Sequence, residues 1–170
     1  RFVTFSTHQR LPILTNNQFR SFVTDAIAAA REKHGFLLLA YVIMPEHVHI
    51  VLFPRPESEV GRVIGDIKQE SAKKIVAVLE AKSSKLLERM RIVRDQESKT
   101  TVWQRRCYDH NCRAESNVWE KIDYCHKNPV NRGLVRDPAR WEYSSFNAYS
   151  AVGEVPLRID EPCFDGFTHP

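Results

Sequence analysis

His47 and His49 are separated by one apolar residue in the run EHVHIVLF (46–53). On an extended strand, side chains two apart point to the same face, about 6.5 to 7 Å apart along the chain. Two imidazoles so placed can converge on one metal ion. The same pair can also be two histidines that only satisfy local hydrogen bonds, so a strand position with apolar neighbours and further ligands is what the metal reading needs. A second constellation is Tyr124 and Asn128, four apart and therefore on one face of a helix. At 100° per residue, Val118, Trp119, Ile122 and Cys125 span an arc of about 120°, and Tyr124 lies roughly 100° beyond its edge. That places the phenol off the main buried stripe, as either an amphipathic residue at the edge of a core or a nucleophile.

The elements that must carry these residues are legible from periodicity. RFVTFST (1–7) alternates and is rich in β-branched and aromatic residues, which predicts a strand. Thr15-Asn16-Asn17 supplies cap chemistry for a helix to about Lys33, with Gly35 just past its end. Phe36 to Met44 is a nearly continuous apolar run, as expected of a strand buried on both faces; Pro45-Glu46 breaks it before the run His47 to Phe53, which predicts a hairpin. Ser58 can cap a long helix whose apolar positions run from Val60 to Leu79 and which ends near Lys82. Residues 83 to 99 are charged and partly helical in expectation, and TTVWQRRC (100–107) reads as a fourth strand. A helix from about Glu115 to Asn128 is expected to stop at Pro129, which disfavours helical geometry in the residue before it and has no amide to donate. The order strand, helix, strand, strand, helix, strand predicts an α+β, ferredoxin-like split βαβ fold: a four-stranded antiparallel sheet with helices on one face. The third long helix is then free to cover part of the other face. Trp141, Tyr143, Phe146 and Tyr149 suggest a short packed helix followed by an irregular extension.

A chain of 170 residues with 42% hydrophobic content supports one compact domain, expected over 1–150, with residues 151–170 as a C-terminal extension packed on it or partly irregular. Charged residues make up 27% and no stretch is low in complexity, which excludes a disordered or fibrous protein. No apolar run approaches the roughly 18 residues that span a bilayer, and the first residues lack the pattern of a signal peptide, so a cytoplasmic protein without membrane contact is expected. Cys107, Cys112, Cys125 and Cys163 form no C-x-x-C pair, which fits reduced thiols; Cys107, His110 and Cys112 are the alternative metal cluster. The net charge is +4, but from Lys82 to Arg113 nine basic residues stand against four acidic ones. That segment is either a solvated face or an electrostatic footprint for nucleic-acid phosphates.

Four segments together, YVIMPEHVHIVL (41–52), VWQRRCYDHNCRAE (102–115), YCHKNPVNRGLV (124–135) and WEYSSF (141–146), resemble those of the REP-associated tyrosine transposases, which belong to the single-tyrosine, HUH-type transposases of bacteria. The likeness runs in order from the first strand to about residue 150. It implies that His47 and His49 bind a divalent metal, that Tyr124 is the nucleophile, and that Asn128 is an amide-bearing third ligand. Mg²⁺ or Mn²⁺ is the implied ion, with Mn²⁺ favoured by imidazole. The implied reaction is cleavage and strand transfer on single-stranded or hairpin DNA with palindromic repeats, through a 5′-phosphotyrosyl intermediate, by a monomer or homodimer. Lys127 is a candidate to assist the tyrosine; Lys73, Lys74, Arg105 and Arg106 are candidate phosphate contacts. The sequence departs from the resemblance between Lys82 and Lys99, which is longer than expected and leaves scope for new phosphate contacts and a different DNA preference.

Two other readings stay open on the residues alone. Tyr124-x-x-Lys127 satisfies the Y-x-x-K pattern of rolling-circle replication initiators and relaxases, although NPVNRGLV and WEYSSF favour the transposase-like reading. A non-catalytic nucleic-acid-binding module would carry the same sheet with histidines serving only local hydrogen bonds.

Overall fold

The computed structural model describes residues 1–94, 97–150 and 153–162. The chain runs β1 (Phe2–Ser6), α1 (Asn17–His34), β2 (Leu37–Ile43), β3 (His47–Phe53), α2 (Val60–Ala81), α3 (Leu86–Arg89), β4 (Arg91–Arg94), β5 (Glu97–Thr100), β6 (Tyr108–His110), α4 (Glu115–Asn131) and α5 (Phe146–Ser150). The main sheet has the order β2-β3-β1-β6 with neighbouring strands antiparallel. This is the ferredoxin-like split βαβ arrangement expected from the element order.

The termini of α1 follow local chemistry. The Asn16 side chain accepts the Gln18 amide at 2.9 Å, and Gly35 closes the helix at φ +64°, a left-handed position that costs a glycine little. β2 has one extra residue between its pairings at Leu38 and Ala40. Strand alternation lets the apolar run 38–44 serve both sheet faces, and the bulge puts the consecutive Leu39 and Ala40 on the same one. Leu38, Tyr41 and Ile43 pack with α1 and α2, while Leu39, Ala40, Val42 and Met44 join a second cluster with Val118, Ile122 and Cys125 of α4. The sheet is thus sandwiched, two helices on one face and α4 on the other.

Ser58 does not cap α2, its hydroxyl donating to His34 O while Glu59 takes the cap position without a side-chain bond, and three further expectations need correction. The fourth strand of the sheet is Tyr108–His110, not 100–107. Val102 and Trp103 are consecutive and both buried, which a half-exposed strand cannot accommodate. Trp103 instead packs edge-on against Phe5 of β1 at 4.9 Å and donates its indole N–H to Ser71 Oγ at 3.1 Å, its strand-like pairing limited to an isolated bridge with Thr7. Secondly, the charged segment holds a separate two-stranded ribbon, β4 paired with β5, beside the short α3. Thirdly, α4 continues through Pro129 to Asn131. The lost amide bond is offset by burial of Pro129 itself, and Gly133 at φ +67° closes the turn with its amide on Val130 O.

The segment after α4 seals the open edge of β2. The Ile43 amide donates to Tyr143 O and the Ser145 amide to Tyr41 O, while Ser145 Oγ lies 2.9 Å from His126 Nε2 of α4. Farther on, Leu157 is buried, its amide bonds Tyr41 Oη, and Asp160 accepts from the Leu38 amide and pairs with Arg31. Cys163 lies outside the described residues. Trp103 joins the loop before β6 to both β1 and α2, so Trp103→Ala is expected to cost about 3 to 5 kcal/mol, read as a fall in the urea midpoint for unfolding at unchanged slope.

Candidate active site

β3 is flanked by β2 and β1, so both of its edges are paired and its side chains alternate strictly between the two faces. Val48, Ile50 and Leu52 go into the core under α1 and α2. His47, His49 and Val51 go to the other face, toward α4, and both histidines are buried. The two rings stand edge to face with centroids 4.5 Å apart and their Nε2 atoms 3.0 Å apart.

Each ring is oriented through its other nitrogen. His49 Nδ1 lies 2.7 Å from Thr4 Oγ1 on the neighbouring strand, and His47 Nδ1 lies 3.2 Å from Glu46 Oε1. A proton on each Nδ1, donated to those oxygens, leaves both Nε2 lone pairs facing one another. Two lone pairs at 3.0 Å repel unless a proton or a cation lies between them. Burial pushes His49 down to about 3, helped by the charges of His47 and Arg10. His47 is also lowered by burial, against the pull of Glu46. Both rings are therefore neutral near pH 7 and available as ligands.

α4 delivers the other two residues. It crosses β2 and β3, with Asn128 buried over the histidines: its Nδ2 lies 3.3 Å from His49 Nε2, and its Oδ1 is buried without a hydrogen-bond partner. A half-turn of the amide exchanges the two ends. Two imidazole nitrogens and an orphaned amide oxygen fit a divalent cation, with a neutral donor set that leaves the ion its positive charge. Among the described residues no three His, Cys, Asp or Glu are grouped to hold a metal, which removes the Cys107/His110/Cys112 alternative. Tyr124, one turn before Asn128, is 45% exposed; its ring stands edge-on to His49 at 5.3 Å and to Phe2 at 5.8 Å. The Tyr124 ring thus lies against His49 within a single chain.

Sequence reasoning missed the support of this site. Burial pushes the Glu46 carboxyl up, but His47, Arg132 and Arg10 together hold it below its ordinary range. A single oxygen, Oε1, takes Arg10 at 2.9 Å, Arg132 at 3.0 Å and His47 Nδ1 at 3.2 Å. Arg10 reaches it from a turn in which Gln9 and Arg10 both have positive φ, 51° and 54°. Such backbone costs of order 1 kcal/mol or more per non-glycine residue and is held here by the surrounding bonds of Thr7. Arg132 follows directly on the extra turn beyond Pro129. An acidic residue beside two histidines was a visible signal for Glu46, whereas nothing local marks Arg10, Thr4 or Arg132.

The remaining predicted residues are spread out. Lys127 pairs with Asp123 at 2.8 Å on the exposed side of α4. Lys73 and Lys74 lie on α2, across the sheet from the histidines, paired with Glu70 and Asp25. Arg105 and Arg106 are exposed in the loop leading into β6.

The sequence matches the profile of the family described as Transposase IS200 like over residues 2–121. The chain belongs to the IS200-like transposase family. The match takes in the histidine pair and ends just before Tyr124. Two curated proteins described as REP-associated tyrosine transposases are similar. The one from Haemophilus influenzae is 25% identical over 143 residues, covering 79% of this chain and 77% of its own length. The one from Escherichia coli is 24% identical over 157 residues, covering 92% and 81%. A solved REP-associated tyrosine transposase bound to a REP hairpin shares the fold, with a TM-score of 0.65, 21% identity and coverage of 99% of this chain and 90% of that one.

Partners that fix a ligand's ring and tautomer typically change metal affinity 10- to 100-fold when removed. Glu46→Gln is accordingly expected to weaken Mn²⁺ binding by about that factor, read by calorimetric titration, with the far-UV circular dichroism unchanged. An affinity equal to the parent's would mean that Glu46 does not orient His47.

Proposed function

We propose that this transposase cleaves and rejoins single-stranded DNA by metal-dependent transesterification, with Tyr124 as nucleophile and His47, His49 and Asn128 as metal ligands. The observation that carries the reading is a buried pair of imidazole nitrogens 3.0 Å apart with the Asn128 side-chain amide, its oxygen unpartnered, 3.3 Å from one of them, beneath an exposed tyrosine whose ring centroid is 5.3 Å from that of His49. When bound, a divalent ion would relieve charge on the phosphate and on the leaving oxygen.

The residues of the chain account for the rest. A tyrosine hydroxyl is a weak nucleophile while protonated. As Tyr124 attacks, its oxygen forms a bond to phosphorus and the bond to the 3′ oxygen breaks; the phenolic proton ends on that oxygen. The products are a 5′-phosphotyrosyl adduct and a free 3′-hydroxyl. One phosphoester replaces another, so the step is reversible and a second strand's 3′-hydroxyl can take the place of the first. The half-exposed ring is open to a flexible backbone, and the neutral ligands leave the ion's charge for the phosphate.

The similar transposase bound to a REP hairpin supports a hairpin as the substrate class, and work on such DNA is consistent with a cytoplasmic protein. Arg105 and Arg106 suit phosphate contacts near the site. Lys73 and Lys74, across the sheet, suit them only if the DNA wraps around α2.

Incubation of labelled hairpin DNA with the protein and Mn²⁺ is expected to give an adduct that survives denaturation. Tyr124→Phe should abolish it, and His47→Ala should reduce it by about two orders of magnitude or more while DNA binding in a gel-shift assay persists. An adduct that still forms with Tyr124→Phe would show that another residue is the nucleophile.

A further inference from the structure

We propose that Tyr108 is a nucleobase-stacking subsite, taking one unpaired base of the strand whose backbone passes Tyr124. The proposal deepens the reading of the chain as a single-stranded DNA enzyme and rests on it for the kind of ligand.

The placement follows from strand register. Thr4 pairs with His49 on one side and with Tyr108 on the other, so His49, Thr4 and Tyr108 form one cross-strand row on the face that α4 partly covers. With neighbouring strands about 4.8 Å apart, the backbone of Tyr108 lies about 10 Å from that of His49. In the next row Phe2 pairs with Val51 and His110. Its ring bridges the two tyrosines, edge-on to Tyr124 at 5.8 Å and to Tyr108 at 6.3 Å. An unbroken aromatic path therefore leads from the histidine pair to the edge of the sheet.

At the end of that path Tyr108 is 59% exposed, more than any other large aromatic side chain among the described residues. It is nonetheless held in place: the His110 ring lies parallel to it, 1° between planes at 6.4 Å, and Phe2 props it from the side. An aromatic ring fixed by a strand and its neighbours loses little freedom on binding, which suits stacking of an unpaired base.

The surrounding charge fits the same ligand. Arg105 and Arg106 are exposed in the loop that enters β6, three and two residues before the tyrosine. The Lys121 ammonium lies 5.8 Å from the Phe2 ring on the inner side, where Glu120 holds it. An exposed flat ring with basic residues preceding it in the chain suits a nucleotide, with the base on the ring and its phosphates within reach of flexible guanidinium groups. A tyrosine exposed only because it sits on an edge strand would need neither the row shared with His49 nor the basic approach.

The test uses a DNA stem-loop with a single-stranded flank in which 2-aminopurine replaces one flank base at a time. Base stacking on an aromatic ring quenches its fluorescence. Binding is measured with Tyr124→Phe and without metal, so no cleavage is required. One flank position is expected to be quenched by Tyr124→Phe and by Tyr124→Phe/Tyr108→Phe, and not by Tyr124→Phe/Tyr108→Ala, whose affinity should fall about tenfold. An abasic site at that position should weaken Tyr124→Phe by a similar factor and leave Tyr124→Phe/Tyr108→Ala unaffected. Unchanged quenching on removal of the Tyr108 ring, quenching at no position, or independent losses from the abasic site and the ring removal would each overturn the proposal. A retained thermal midpoint for the Tyr108→Ala variant excludes misfolding as the cause. Because the readout is binding, quenching without any adduct from the parent protein would sink the catalytic reading and leave this subsite standing.

Discussion

Two imidazoles on a dry sheet face, both neutral and both with Nε2 turned inward, form an arrangement that nothing in a bare strand would keep. Burial removes the water that would otherwise satisfy them, and their mutual approach at 3.0 Å leaves room for only one proton or cation between the inner nitrogens. Much of the surrounding structure can be understood as the means of holding them so. Thr4 comes from the adjacent strand at the pairing register, and Glu46 precedes the first histidine in the tight turn between β2 and β3. α4 closes over the pair with an amide, a group that serves as donor or acceptor according to which end it presents.

Glu46 extends this hold across the molecule. Its carboxylate gathers a residue from the turn after β1 and a residue from the end of α4, so the position of the helix that carries Tyr124 and Asn128 is tied to the histidine strand by charge as well as by apolar packing. The persistence of α4 through Pro129 belongs to the same scheme, because the added turn brings Arg132 within reach. The seal of β2 by residues 143–145, with Ser145 also on His126, fixes the other side of α4. Tyr124, by contrast, stands half exposed beside this rigid frame, open to a substrate.

Much of the site could be read before folding because its parts are local. H-x-H on an apolar strand gives two rings on one face by the two-residue period, and Tyr124 with Asn128 gives one helix face by the four-residue spacing. The α1 cap, the β2–β3 hairpin and the long α2 likewise follow from neighbours in the chain. Where the reading failed, long-range packing overrode local preference. Val102 and Trp103 had strand-forming character, but burial of both, with Trp103 against Phe5 and Ser71, moved the fourth strand to Tyr108–His110. Pro129 argued for a helix end, but its own burial outweighed the missing bond.

By itself, then, the sequence determined the kinds of donor, the face each occupies on its own element, and the order of elements that makes a split βαβ sheet. Periodicity and side-chain chemistry are properties of a single segment, and they survive any packing that keeps the segment intact. Only the tertiary structure decided that the histidine strand and the tyrosine helix meet within one chain, that Glu46 joins them through Arg10 and Arg132, and that Tyr108 shares a row with His49. Those relations depend on strand register and on contacts between residues far apart in the chain, and no local pattern encodes a partner that arrives from another element.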